Sequence, residues 1–178
     1  MTALDSPQLY RDITGNFIPV KRTINYAGTN QEIFLIPITI SELKYYGSGL
    51  LSDTDIEFEL LLNKVFKPKF VKDEFRFIKQ DFIDLVVKDI LFISGIDIEK
   101  KVKHRERGNE DDFGKSLRNF KLKKSENDMI LFIHELGYSY FDYGKLTYKE
   151  INDLIEADNE KNKRTNSLLE ASKNKRRR

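Results

Sequence analysis

The sequence contains no cysteine, no tryptophan and only two histidines. The absence of cysteine excludes disulfide bonds, thiol nucleophiles and cysteine-ligated zinc, and it fits a cytosolic protein. Two histidines are few for metal binding or acid–base catalysis. The pair His134-Glu135 begins like a zinc-protease motif, but Tyr138 stands where the second histidine ligand is needed. We therefore expect neither an enzyme nor a bound cofactor or metal.

Long apolar runs are also missing. The longest contain four or five residues, whereas a membrane-spanning helix needs about 20. The first residues have no basic region and no apolar core, so we expect no signal peptide and a location in the cytoplasm. The glycines and serines match no phosphate-binding loop, dinucleotide turn or nucleophile elbow. The triplet Glu110-Asp111-Asp112 lacks the spacing of a calcium loop and is interpreted as a solvated charge run.

Aromatic residues are plentiful in this sequence. The hydrophobic share of 39% is low for a globular protein, and the charged share of 34% is high. The chain nevertheless has 13 Phe and 8 Tyr, each of which buries a large apolar area. A folded core is therefore expected.

Basic charge is concentrated in two segments. Residues 161–178 hold eight Lys or Arg and one Glu, which leaves 23 basic and 28 acidic residues in the rest of the chain. Residues 100–124 hold ten Lys or Arg against four Asp or Glu. Such blocks are typical of solvated, disordered arms that contact an anionic partner. The predicted contact residues are Lys100, Lys101, Lys103, Arg105, Arg107, Lys175, Arg176, Arg177 and Arg178.

The chemistry of these basic segments suits a negatively charged protein surface or the backbone of a nucleic acid. The sequence shows no recognition-helix pattern and no aromatic platform on a basic strand, so base readout is not predicted. A solubilising or protein-docking tail is the favoured interpretation, with weak nucleic-acid contact as the alternative.

The N-terminal part predicts a small β-hairpin. Residues 1–22 are sparse in apolar side chains and are interpreted as an arm. Two β-rich runs, 23–26 and 31–36, flank a turn at 27–30 that contains glycine.

Capping residues predict the helices that follow. Thr39 and Ser52 each precede a helical pattern. A third helix is predicted over residues 81–94, with Gly95 as its stop. Residues 71–80 fit either a strand or a helix.

The C-terminal part predicts two helices, capped by Ser125 and Thr147 and joined by an aromatic elbow at 138–147. The second helix is expected to continue past Asn159 and fray, with Leu168-Leu169 as one further turn. The aromatic side chains in and after the elbow are Tyr138, Tyr140, Phe141, Tyr143 and Tyr148. Tyrosines of this kind suit a protein interface, and the alternative is that they pack the two helices together.

The predicted fold class is α+β and mainly α-helical, with a small N-terminal β-hairpin followed by a helical bundle, a basic loop and a disordered basic C-terminal tail. The predicted segments are an arm at 1–22, a hairpin with helices at 23–99, a basic exposed loop at 100–124, a two-helix unit at 125–160 and a basic tail at 161–178.

Two parts of the sequence resemble tail proteins of bacteriophages. The C-terminal unit, with Leu136-Gly-Tyr-Ser139 and then Leu146-Thr-Tyr-Lys-Glu-Ile151 before a charged helix, is similar to the end of tailed-phage tail assembly chaperones. The segment Ile33-Phe-Leu-Ile-Pro-Ile-Thr-Ile-Ser-Glu42 is similar to baseplate or tail assembly proteins of contractile-tailed phages.

This resemblance implies a small, non-enzymatic assembly factor in the cytoplasm of an infected bacterium. Proteins of that family coat the hydrophobic, helical tape-measure protein, help to deliver tail tube subunits, and are absent from the finished virion. A client with an exposed apolar helix needs an aromatic or aliphatic groove. The candidate client-binding residues are Tyr138, Tyr140, Tyr143, Tyr148, Ile151, Leu154 and Ile155.

Two other functions fit the same features. One is a structural virion component, such as a neck or baseplate subunit, whose arms order on assembly. The other is a nucleic-acid-binding accessory protein that uses the basic segments. A homo-oligomer is compatible with each of these functions.

Overall fold

The computed structural model describes residues 9–96 and 126–176, without the side chains of Tyr140 and of 171–176. The predictions for the basic loop at 100–124, for the cap Ser125 and for the last two arginines lie outside the described residues. Within them, the predicted fold class is confirmed, because an N-terminal antiparallel sheet is followed by helices.

The sheet has three strands, β1 (Val20–Tyr26), β2 (Thr29–Leu35) and β3 (Val65–Lys67), in the order β1-β2-β3. The predicted hairpin is present, but the prediction of a four-residue turn is wrong. Tyr26 pairs with Thr29, so the turn consists of Ala27 and Gly28 alone. Their φ values of 51° and 77° match the type I′ turn, which suits the right-handed twist of paired strands.

The helices of the N-terminal part are α1 (Ile40–Gly47), α2 (Asp53–Lys64) and α3 (Gln80–Ile93). Thr39 and Ser52 cap the first two as predicted. Residues 71–80, which the sequence left open, contain a 3₁₀ helix (Lys72–Phe77). Gly95 follows α3 with a φ of 82°, which confirms its predicted role as the stop.

The C-terminal unit contains α4 (Glu126–Glu135), α5 (Tyr140–Lys145) and α6 (Tyr148–Arg176). The prediction of a non-helical elbow is wrong, because α5 occupies most of it. The Ser139 hydroxyl accepts from the Asp142 amide at 3.3 Å, and the Asp142 carboxylate accepts from the Ser139 amide at 3.1 Å, so the two residues form a capping box.

The prediction of a disordered tail is wrong as far as Arg176. Helix α6 runs unbroken for 29 residues, so Leu168-Leu169 is part of one helix and not a separate turn. Neither glycine nor proline interrupts residues 148–176, and Glu160 and Arg164 pair at 3.5 Å one turn apart. These local preferences favour the helix.

A single hydrophobic core joins the two parts. Ile33 and Leu35 of β2 face it from the sheet, and Met129, Ile133 and Ile151 enter it from the C-terminal unit. Buried residues of α2 and α3 fill the space between.

Candidate functional site

Two segments of the chain with a similar sequence pattern lie side by side. Both have the pattern aliphatic-Thr-x-x-Glu-aliphatic, at 38–43 and at 146–151. Thr39 and Thr147 form an antiparallel bridge, and the Ile40 amide donates to the Leu146 carbonyl at 2.8 Å. The two helix starts therefore form one junction, from which α1 and α6 depart.

Each capping carboxylate at the junction also binds a cation. Glu42 accepts from the Thr39 amide at 2.9 Å and from the Lys64 ammonium at 2.6 Å. Glu150 accepts from the Thr147 amide at 2.7 Å and from the Arg11 guanidinium at 2.8 Å and 3.0 Å. Charge-assisted hydrogen bonds of this kind are shorter and stronger than neutral ones.

Ser94 and Gly95 hold the root of α6. The Lys149 amide donates to the Ser94 carbonyl at 3.0 Å, and the Ile38 amide donates to the Ser94 hydroxyl oxygen at 2.8 Å. That hydroxyl in turn donates to the Ile90 carbonyl at 2.6 Å. Fully buried Ser94 thus links α3, the start of α1 and the start of α6.

Arg11 fixes the N-terminal arm to this junction. Besides binding Glu150, its guanidinium donates to the carbonyls of Gly15 at 2.7 Å and Lys145 at 2.8 Å, and lies 3.7 Å from the centre of the Phe17 ring. We expect Arg11→Ala to release the arm, because alanine replaces none of these bonds. The expected loss of global stability is small, about 1 kcal/mol, since the pair is partly exposed to solvent.

Hydrogen exchange is the measurement that checks the arm. Amides of residues 15–18 are expected to exchange much faster in Arg11→Ala than in the wild type, while core amides of α3 keep their protection. Lys21→Ala, which removes a solvent-exposed ion pair with Glu32, is the matched control. Unchanged exchange in the arm would show that Arg11 does not hold it.

Three of the predicted client-binding residues belong to the core. Tyr143, Tyr148 and Ile151 are buried at 1%, 6% and 0% exposure and line no open groove. The apolar stripe at the start of α6 packs against the core, as such a stripe of an amphipathic helix normally does. These three residues anchor the C-terminal unit, and their prediction as contact residues is corrected on that ground.

The other predicted residues lie nearer the surface. Tyr138 is exposed, and Leu154 and Ile155 are partly buried against the core. Tyr140 begins α5, and its side chain is outside the described part. Tyr138 and Leu154 line a shallow, open depression of about 310 Å³, whose other lining residues are Leu146, Glu150 and Asp153.

Further apolar side chains of the C-terminal unit are exposed. They are Leu131, Leu136 and Phe141, the last by 80%. The set Leu131, Leu136, Tyr138, Phe141 and Leu154 is called the client surface below, after the hypothesis that it binds a client protein. The apolar stripe of α4 predicts the buried face of the helix. Leu131 lies off that stripe, so the sequence pattern does not identify it as a candidate.

The charges near the depression are partly compensated. Glu150 pairs with Arg11, and Asp153 accepts from the Lys149 ammonium at 3.0 Å. At the start of α5, the Ser139 hydroxyl donates to the Asp142 carboxylate at 2.6 Å and lowers the pKa of that carboxyl. The lining of the depression therefore combines apolar side chains with two carboxylates, those of Glu150 and Asp153.

The predicted anion-binding residues are divided by position. Lys175 and Arg176 end helix α6, and their side chains are not described. Lys100, Lys101, Lys103, Arg105, Arg107, Arg177 and Arg178 lie outside the described residues. The contact of these nine residues with an anionic partner therefore stays a prediction.

Residues 9–96 and 126–176 contain neither a metal-binding cluster nor a membrane-spanning helix. No three His, Asp or Glu side chains in these ranges are grouped so as to hold a metal ion. No helix there combines the length and the hydropathy that crossing a bilayer requires. Comparison with known proteins gives no match to a family model, to a curated protein or to a solved structure.

Proposed function

We propose that this protein is a non-enzymatic assembly chaperone of a tailed bacteriophage, acting in the host cytoplasm. Its client would be a helical, apolar protein of the tape-measure kind, together with tail tube or baseplate subunits. The observation that carries the proposal is the client surface, where four large apolar side chains within residues 131–141 are exposed to solvent. Concentrated exposed apolar area is typical of protein-binding sites.

The chemistry of the client surface suits an amphipathic helix. Phe141 and Leu131 offer protruding contacts, and the depression beside Tyr138 can receive an apolar side chain at helical spacing. Glu150 and Asp153 line that depression, so a basic residue next to the apolar side chain of the client would be favoured.

Helix α6 adds a second element to the proposal. It continues from the core contact at Ile151 to Arg176, and its exposed side chains include Leu168 and Leu169. Beyond Ile155 the described side chains of this helix are mostly polar, and a mainly polar helix can bridge to another body. A long helical client can lie along such an arm.

The test is a pull-down with the full-length protein from the cells that naturally express it, at moderate salt, with partners identified by mass spectrometry. We expect a long helical protein or a tail tube subunit as the dominant partner. Phe141→Ala should reduce its recovery severalfold, because aromatic anchors carry much of the energy of an interface. Phe77→Ala is the matched control, since Phe77 is 79% exposed and lies outside the client surface.

Two outcomes would contradict the proposal. One is the recovery of nucleic acid with no dominant protein. The other is equal recovery of the partner by wild type and Phe141→Ala.

A structural virion component is the second candidate, and the length of α6 favours it. A 29-residue helix is a suitable arm for a neck or baseplate subunit. Purified particles decide between the two functions, because a structural subunit is present there in fixed stoichiometry and a chaperone is not.

A further inference from the structure

The outward face of the sheet carries an aromatic ring between two lysines. Strand register places Lys21 opposite Phe34, and Phe34 opposite Lys67. Ile33 and Leu35 point into the core, so Phe34 between them points outward. A row of lysine, phenylalanine and lysine therefore crosses all three strands.

A bulge places a second ring beside this row. The register between β2 and β3 shifts between Phe34 and Leu35, which leaves Phe66 as the extra residue of β3. Phe66 is 51% exposed and is not among the side chains packed against the core. Bulges re-aim side chains, and this one leaves an aromatic ring in solvent at a sheet edge.

The segment that follows β3 also combines aromatic and basic residues. Residues 65–79 hold five Lys or Arg and two acidic residues. Phe77 at the end of the 3₁₀ helix is 79% exposed, and the Arg76 guanidinium lies 5.4 Å from its ring centre. Exposed rings and cations thus alternate along one short stretch.

Buried rings hold this segment in place. Phe75 stacks on Phe58 of α2 with ring centres 4.6 Å apart, and Phe70 contacts Phe75 and Phe82 at 6.3 Å and 6.5 Å. These buried rings attach the segment to the core. Phe66 and Phe77 take no part in that packing and stay exposed.

The lysines of this surface differ in their partners. Lys21 pairs with Glu32 at 2.6 Å, whereas among residues 9–96 and 126–176 no carboxylate forms an ion pair with Lys67, Lys69 or Lys72. Within these ranges, an anion that approaches the last three side chains therefore displaces no carboxylate.

We propose that the outward face of the sheet and the segment that follows β3 bind single-stranded nucleic acid through Phe34, Phe66, Lys67, Lys69, Arg76 and Phe77. Unpaired bases stack on exposed aromatic rings while lysine and arginine contact the phosphates. A duplex hides its base faces and cannot use the rings. An acidic peptide offers carboxylates without flat rings to stack, and a lipid surface would favour more apolar area per cation.

The surface shares no residue with the client surface, so the inference does not depend on the proposed function. It also changes an expectation from the sequence, which predicted no aromatic platform on a basic strand. That platform becomes visible only through the register of the three strands.

The experiment is an anisotropy titration of a fluorescein-labelled, mixed-sequence DNA oligonucleotide with the full-length protein. We expect Phe77→Ala to weaken binding about tenfold, and Phe66→Ala to have a similar effect. The matched control is Phe141→Ala, at 80% exposure, which should bind as the wild type does. These variants keep the net charge, so the loss separates stacking from attraction to the basic tail.

Several results would overturn the inference. They are unchanged affinity in Phe66→Ala and Phe77→Ala, equal losses in Phe77→Ala and Phe141→Ala, or equally tight binding of a duplex of the same length. Binding to phosphatidylserine vesicles that depends on Phe77, without binding of the oligonucleotide, would assign the surface to membranes instead. If Phe66→Ala lowers the Tm, Phe77→Ala and Lys69→Gln decide the question.

Discussion

Replacing Gly95 by alanine is expected to lower the free energy of unfolding by about 3 kcal/mol. A left-handed backbone costs an alanine about 1–2 kcal/mol, and overpacking typically costs a further 1–3 kcal/mol. Gly95 has a φ of 82°, and an added Cβ would lie 2.8 Å from both Cα and N of Lys149. The hydrogen bond from the Lys149 amide to the Ser94 carbonyl keeps these two backbone segments together. The root of α6 must therefore move or lose this bond.

Gly49→Ala separates the two contributions. Gly49 has nearly the same φ of 81°, but nothing lies within 4 Å of its added Cβ. It should cost only about 1 kcal/mol, since it carries the strain without the collision. Thermal and urea unfolding are the measurements, and about 3 kcal/mol corresponds to a fall in Tm of about 6–12 °C for a chain of this size. Equal losses in the two variants would show that α6 does not approach Gly95 closely.

Replacing Glu42 by glutamine is the second variant with a large expected effect, again about 3 kcal/mol. Lys64 is 5% exposed, and its ammonium binds the Glu42 carboxylate at 2.6 Å. Glutamine keeps a side chain that can cap α1, but it leaves the lysine charge buried without a carboxylate. Breaking a buried pair from one side typically costs about 3–5 kcal/mol, and the partial exposure of Glu42 places the expectation at the lower end.

Lys64→Met is the informative control. Methionine fills the buried volume of the lysine side chain without a charge, and Glu42 still caps α1 and still reaches water. The loss of unfolding free energy should therefore stay below about 1 kcal/mol. In the double variant, Glu42→Gln should then cost far less than it does alone, and urea denaturation of the four proteins gives the coupling energy. An additive double variant would mean that the two side chains are not coupled.

The sequence predicts local elements well and their mutual placement poorly. Thr39, Ser52 and Thr147 identify helix starts because a cap depends on only a few neighbouring residues. Nothing local indicates that Thr39 and Thr147 pair with each other across the chain. Strand β3 is not predicted from the sequence for a related reason, since three residues are too few to show a periodic pattern.

The candidate sites show the same difference between local patterns, which the sequence predicts, and spatial placement, which it does not. An apolar stripe identifies Tyr148 and Ile151 as one face of a helix, and that face is normally the buried one. Leu131, a residue of the proposed client surface, lies off the stripe within the apolar run 129–133, where the sequence alone does not show which side chains are exposed. For Phe66 the outward direction depends on a bulge, which only the strand register reveals.

Helix α6 can also act as a lever arm. Its fulcrum is the close contact between Gly95 and Lys149, and about 38 Å of helix extends from Ile151 to Arg176 at 1.5 Å per residue. A tilt of about 10° at the fulcrum would carry the far end about 7 Å, as follows from that length. Any tilt of the helix where it meets Gly95 would thereby be amplified into a displacement at the basic end of the chain.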